Sequence, residues 1–325
     1  MSSRYSRYVV RRFLGAIIAV FAILTINFFI FRILPGNPIE LLFRNPRLTD
    51  EQIRALEAQF GLDRPLIDQY FIYLINVFQG NLGLSFFYRQ PVTSVLMPRM
   101  INSLILVLPS TLAAIALGIV AGLISAWRRG SKTDVSILLI GMSLYSLPTF
   151  WLGGIFILLS IYYLHLPVSG MLTYGAIYSS WTDLLIDFLR HFILPFITLT
   201  LVMFGEFMII MRNTLIDVLT EDYVTVAIAK GLSQTKILRD YALRNAMLPT
   251  ISIIAINLGL VVAGAVLTET VFSWPGVGRL IYDAILNRDY PILQGAFLFI
   301  TISVVIANLI ADLLYGLLDP RVRYG

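Results

Sequence analysis

Apolar residues gather in this chain into six long runs, not into the short stripes of a soluble fold. The runs fall at about residues 14–34, 104–127, 135–164, 192–211, 249–270 and 293–318. A helix of about 20 mostly apolar residues spans the roughly 30 Å hydrocarbon of a bilayer, so each run is long enough to cross. The third is the longest and contains Pro148, which predicts a kink, a tilt or a partly interfacial course. Between the runs lie three polar segments. Residues 35–103 carry a helical pattern from Asp50 to Gln59, with Thr49 as N-cap and Gly61 as stop, and a second at 66–78 bearing Tyr70, Phe71, Tyr73 and Phe78. Those apolar and aromatic positions predict an ordered segment. Residues 165–191 are short and mixed. In 212–248, Ile237, Leu238, Tyr241 and Ala242 form an apolar stripe beside Lys236, Arg239 and Arg244; its partner is either the protein's own bundle or a docked protein.

Composition makes lipid the solvent. The 325 residues are 58% hydrophobic and 13% charged, against about 45–50% and 25% in ordinary globular chains, and no soluble domain could bury that much apolar surface. The net charge of +5 suggests nucleic acid less than it suggests basic cytoplasmic loops. With the N-terminus in the cytoplasm, that side holds Arg4, Arg7, Arg11, Arg12, Arg128, Arg129, Lys132, Arg212, Lys230, Lys236, Arg239, Arg244, Arg321 and Arg323, fourteen of the 24 Lys and Arg residues. Both ends are therefore placed inside. The first run is too long for a cleavable signal core and lacks a small-residue cleavage site, so it reads as a retained helix. The chain divides into an N-terminal segment and first span (1–34), an extracytoplasmic segment (35–103), a five-helix core (104–318) containing the inner loop 212–248, and a tail (319–325).

Catalytic chemistry finds no footing. Cysteine is absent, which removes disulfides, Cys-ligated zinc and thiol catalysis. His165 and His191 flank spans and are too few for a metal site, and no phosphate-binding G-x-x-x-x-G-K-[ST] run exists. An intramembrane protease or a self-contained ATP pump is excluded on these grounds. An ion-coupled secondary transporter is the remaining rival, but the centres of the runs read as nearly charge-free and show no internal repeat. Glu269 and Asp312 stand near span ends; Glu269 reads as structural or gating, and Asp312 as the partner of a cytoplasmic Arg. Tyr145, Phe150 and Trp151 read as filling a helix interface rather than lining a path.

The inner loop reads Asp222-Tyr223-Val224-Thr225-Val226-Ala227-Ile228-Ala229-Lys230-Gly231-Leu232-Ser233. It predicts two short helices broken at Gly231, with Ser233 capping the second and small Ala227 and Ala229 allowing close approach of another surface. This stretch resembles the EAA loop of binding-protein-dependent ABC importer permeases, in the dipeptide, oligopeptide and nickel branch, where D-Y-V-x-x-A-x-A-K-G-L is usual. The general E-A-A triplet is Thr225-Val226-Ala227 here, and the I-x-L-P tail is Tyr241-Ala242-Leu243-Arg244, with Leu248-Pro249 five residues later. Further motifs similar to the branch occur in order: Pro35-Gly36-Asn37-Pro38, Gly61-Leu62-Asp63-Arg64-Pro65-Leu66 and Gly80-Asn81-Leu82-Gly83-Leu84-Ser85, in which Asn81 replaces the usual Asp. Then come Ser146-Leu147-Pro148, Leu194-Pro195, Glu269 with Phe272-Ser273-Trp274-Pro275-Gly276, Arg288-Asp289-Tyr290-Pro291 and Asp319-Pro320-Arg321.

The resemblance implies a six-helix, all-α permease of the type I importer fold in a prokaryotic inner membrane. It implies a first, B-type subunit that imports peptides and pairs with a second homologous permease, two cytoplasmic ATPases and an extracytoplasmic binding protein. ATP and Mg would be bound by the ATPases, so the chain itself needs no cofactor and no metal. Asp222, Tyr223, Ala227, Ala229, Lys230, Gly231, Leu232 and Ser233 would make the ATPase contact. Glu269, Trp274, Pro275 and Gly276 would gate or brace the outer face. Short oligosaccharides and nickel chelates are the alternative solutes within the same branch.

Overall fold

The computed structural model describes residues 2–33, 64–261 and 264–318, and all of its regular elements there are helical. The helix expected at Asp50 to Gln59 lies outside the described residues, as does the tail. In chain order the elements are α1 (Ser2–Ile33), α2 (Leu66–Phe78), α3 (Val92–Trp127), α4 (Lys132–Ser146), α5 (Thr149–Leu159), α6 (Trp181–Leu219), α7 (Asp222–Ala229), α8 (Leu243–Leu260), α9 (Val266–Val271), α10 (Val277–Leu286) and α11 (Tyr290–Leu318). A π-helical turn ends α5, and between α7 and α8 lie a short α-turn, Gln234–Lys236, and the π-helical turn Ile237–Ala242.

Among the described residues, four helices are long and apolar enough to cross a membrane: Arg7–Arg32, Val92–Trp127, Trp181–Leu219 and Tyr290–Ile310. The third apolar run is kinked at Pro148, as the proline predicts. It is a pair of helices, Lys132–Ser146 and Thr149–Leu164, bent by 100°. The cause is local: Leu147, before Pro148, is extended (φ −75, ψ 132), because the proline ring disfavours helical backbone in the residue ahead of it. The fifth run is not one helix either. The α8 helix stops at Leu260, and Gly264 takes φ +72 before α9 begins. Pro195, placed by its motif at the opening of a span, lies well inside α6. That helix begins eleven residues before the apolar run because Ser180 caps it, accepting a hydrogen bond from the Asp183 amide at 3.2 Å.

The chain forms two compact units, Met1–Ile101 with Gly276–Gly325, and Asn102–Pro275. In the first, α1 packs along α11, and α10 lies on α11. Val92, Leu96, Val277, Leu280, Ile281, Ile292 and Leu293 make its core. Near the start of α1, Arg12 Nη1 meets Asp312 Oδ2 at 2.8 Å, the Arg–Asp312 pairing that the sequence suggests. Asp289, from the Arg288-Asp289-Tyr290-Pro291 motif, is fully buried, and Ser85 of the glycine-rich motif donates its hydroxyl to it. The amides of Phe86 and Phe87 point at the same carboxylate, at 3.3 and 3.2 Å. Two motifs far apart in sequence thus form one cap.

The second unit is organised by α6, against which α4, α5, α8 and α9 pack. Glycines set the closest crossings. A Cβ at Gly122 of α3 would stand 2.7 Å from the Met208 carbonyl, and one at Gly205 would overlap the carbonyl of Gly141. Without a hydrophobic drive between helices in lipid, such close backbone packing is a main source of association. Outside these seams the helices are apolar and open. Tyr145, Phe150 and Trp151 are 52%, 51% and 51% exposed, so among the described residues their rings are largely uncovered, although Tyr145 Cβ borders the Gly205 crossing.

Candidate functional site

Residues 222–233 fold as a helix and a tight stop. Asp222 opens α7 in its first turn, where the helix dipole favours a carboxylate. The helix has two faces. Val224 and Ala227 are buried with Ile237, against Leu219 and Leu232. Tyr223, Val226 and Ile228 remain 38%, 51% and 60% exposed, and Asp222, Ala229 and Lys230 lie on the open side with them.

The stop is made by backbone geometry. Gly231 takes φ +73, its amide donates to Ile228 O at 2.9 Å, and the Leu232 amide reaches back to Ala227 O at 3.3 Å. Those two bonds, with a left-handed residue between helix and loop, are the Schellman arrangement, and Leu232 supplies its accompanying apolar contact. A Cβ on Gly231 would meet nothing within 4 Å, so glycine is required here by φ, not by crowding within the chain.

Two details differ from the sequence reading. Ala227 is 2% exposed, so its small size serves the internal packing of α7 and not the approach of another surface. Ser233 has the extended backbone of an N-cap, yet its side chain makes no capping bond. The apolar stripe that follows is claimed mainly by the bundle: Ile237 and Ala242 are buried, and Leu238 packs with Met211 and Leu215 of α6. Tyr241 stays exposed. Asn245 ties the loop together by donating to the Tyr223 hydroxyl at 2.7 Å. On the open surface, hydrogen bonding from Arg239 holds the Asp240 carboxyl below its ordinary pKa.

The second group of singled-out residues is a closed knot. Glu269 is fully buried, and its Oε1 accepts from the Ser103 hydroxyl at 2.7 Å and the Ala265 amide at 3.1 Å. Trp274 is also fully buried and donates its indole N–H to Asn102 O at 2.9 Å, while Asn102 Nδ2 donates to Pro275 O at 2.9 Å. The chain reaches this knot through Ser273 at φ +51, which ends α9 with the same pair of bonds as the Gly231 turn. Gly276 is the extended residue before α10, and its carbonyl accepts from the Leu280 amide at 3.1 Å. Asn102 and Ser103 were legible only as a polar pair ahead of an apolar run.

Two further features escape a reading by motifs. Asp134 is 3% exposed and receives Nε and Nη2 of Arg212 at 2.8 and 2.9 Å, with Ser125 and the Gly130 amide completing its shell. Sequence alone counts Arg212 as one more basic residue on the inner side. Glu206 of α6 is a third ionisable residue of the spans, beside Glu269 and Asp312: it lies inside the fourth run, five residues from its end, half-buried.

The matches to known proteins cover nearly the whole chain. Residues 118–324 match the family described as binding-protein-dependent transport system inner membrane component, and residues 5–107 match the N-terminal region of such membrane components. The dipeptide transport system permease protein DppB of Escherichia coli K12 is 36% identical, over 98% of this chain and 99% of its own length. The di/tripeptide transport system permease protein DppB of Pseudomonas aeruginosa is also 36% identical, over 98% of each. The glutathione transport system permease protein GsiC of Escherichia coli O6:H1 is 35% identical, over 98% and 99%.

Proposed function

Since the chain belongs to the family of binding-protein-dependent transport system inner membrane components, and is a non-catalytic, multi-pass permease subunit of an ABC importer, we propose that its solute is a short peptide and that α7 with the Gly231 turn couples it to an ATPase. Similarity along the full length to permeases named for dipeptides, di/tripeptides and glutathione supports a peptide over an oligosaccharide or a nickel chelate. The complex in this reading holds a second permease, two ATPases and an extracytoplasmic binding protein. Six crossings with both termini inside fit the Lys and Arg distribution, the third crossing bent at Pro148 and the fifth broken at Gly264. Reporter fusions after Arg129 and Leu232 are expected to signal cytoplasm, and one after Leu172 the outside. An outside signal at Leu232 would remove the coupling role from α7.

One observation supports the coupling reading: α7 closes its own core yet leaves Tyr223, Val226 and Ile228 open. Apolar side chains kept in water on so short a helix offer a partner something to bury. ATP binding then selects between inward- and outward-facing states through differential contact with that surface. In this mechanism Gly231 fixes the angle at which α7 is presented. A β-carbon at left-handed φ costs roughly 1–2 kcal/mol, so Gly231→Ala is expected to be nearly as harmful as Gly231→Val, both inserting normally but losing ATPase docking or hydrolysis-coupled uptake. The assay is uptake of a labelled dipeptide and ATP hydrolysis by the reconstituted complex, with assembly measured in parallel. Normal uptake by a fully assembled Gly231→Val complex would show that the turn is not the coupling contact.

A further inference from the structure

Glu206 is a carboxylate inside an apolar run, six residues or about 9 Å along α6 from Arg212. The seam of α6 against α3 and α4 is made by Gly205, Phe207, Met208 and Met211. Glu206 falls outside that seam, toward α8, where Asn257 Nδ2 lies 3.5 Å from its Oε1. Asn257 in turn donates to its own helix, at Ile253 O, 3.0 Å away. The nearest basic residue along α6 does not neutralise Glu206, because Arg212 is committed to Asp134 through two nitrogens. A half-buried carboxylate at this depth is costly against hydrocarbon, and such residues face a bundle interior or a water-filled cavity.

We propose that Glu206, oriented by Asn257, is a cation-recognising position on the solute path and binds protonated amines, such as the lysine side chain or the terminal ammonium of a peptide in transit. The inference rests on the peptide reading above and adds to it a place where charge is sorted. The carboxylate accepts from an N–H of the ammonium, a charge-assisted bond stronger than a neutral one. The 3.5 Å separation from Asn257 leaves Oε1 weakly engaged, with room for a stronger donor.

The chain has no cysteine, so Glu206→Cys places a single thiol in this subunit. In the assembled transporter, with its other subunits cysteine-free, a charged, membrane-impermeant methanethiosulfonate is expected to modify that thiol, at a rate that changes when ATP is added. Absence of reaction in every nucleotide state would overturn the proposal, since a position covered by lipid or by a partner subunit is closed to the reagent. The second arm compares uptake of Lys-Ala and Glu-Ala at saturating binding protein. Glu206→Gln keeps the size and a hydrogen-bonding amide, and is expected to lower the Lys-Ala to Glu-Ala ratio by about tenfold, the scale of a lost charge-assisted bond. Glu206→Asp should restore most of it. An unchanged ratio in Glu206→Gln would overturn amine recognition. If the wild-type transporter imports neither dipeptide, the peptide reading falls, whereas the labelling result, which needs no peptide, still decides whether Glu206 faces the path.

Discussion

Gly205→Leu is expected to yield no stably folded subunit, while Gly154→Ala is expected to be harmless. At position 205 a Cβ would overlap the backbone carbonyl of Gly141 and stand 2.7 Å from the Tyr145 Cβ. Added core volume usually costs about 1–3 kcal/mol when side chains can shift aside. Here the obstacle is backbone, so α4 and α6 would have to separate along their crossing, and the loss should exceed that range. The reciprocal change, Gly141→Ala, should be milder, because the atom it meets is the terminal methyl of Met208, the end of a flexible side chain. Gly154 has nothing within 4 Å of its Cβ position and serves as the control. Yield of monodisperse protein after detergent extraction and its thermal midpoint are the measurements. A Gly205→Leu protein that melts with the wild type would refute this account of the crossing.

Asp134→Ala should be the second severe lesion. It strands Arg212, whose side chain is 16% exposed, without its counter-charge. Removing one partner of a buried ion pair costs about 3–5 kcal/mol, whereas replacing both with apolar residues of similar volume is often neutral. The double variant Asp134→Leu with Arg212→Met is therefore expected to recover most of the thermal stability lost by Asp134→Ala. Equal damage in the single and double variants would mean that the carboxylate matters for something other than Arg212, such as the Gly130 amide that it accepts at 2.9 Å.

The sequence disclosed what repeats locally and hid what depends on distant pairing. Hydrophobic runs located the spanning helices, the pattern at Leu66–Phe78 located α2, and Gly231 announced the helix stop, because each signal is contained in a few adjacent residues. The 100° bend was legible only as a proline, since Pro148 fixes that the helix breaks but not the angle, which packing sets. Asp134 with Arg212, Ser85 with Asp289, and Asn102 with Pro275 are joined across 78, 204 and 173 positions, and no local period encodes such partners. Glu206 hid for a different reason. One carboxylate hardly lowers the hydropathy of a long run, so the residue that breaks the rule is averaged away with the rule.

The bend at Pro148 also constrains the order in which the protein can be assembled. Residues 132–164 emerge from the ribosome as one long apolar stretch, and lipid alone gives its two arms no reason to diverge by 100°. What holds them apart is made later. Gly141 of the first arm rests against Gly205, and Gly153 of the second lies beside Val271 and Phe272, about 120 residues further along. Insertion comes first and helix packing second in a bilayer. The second arm must therefore wait, inserted but unpartnered, until α9 has been synthesised, and a chain truncated before residue 271 keeps the proline without the packing that sets its angle.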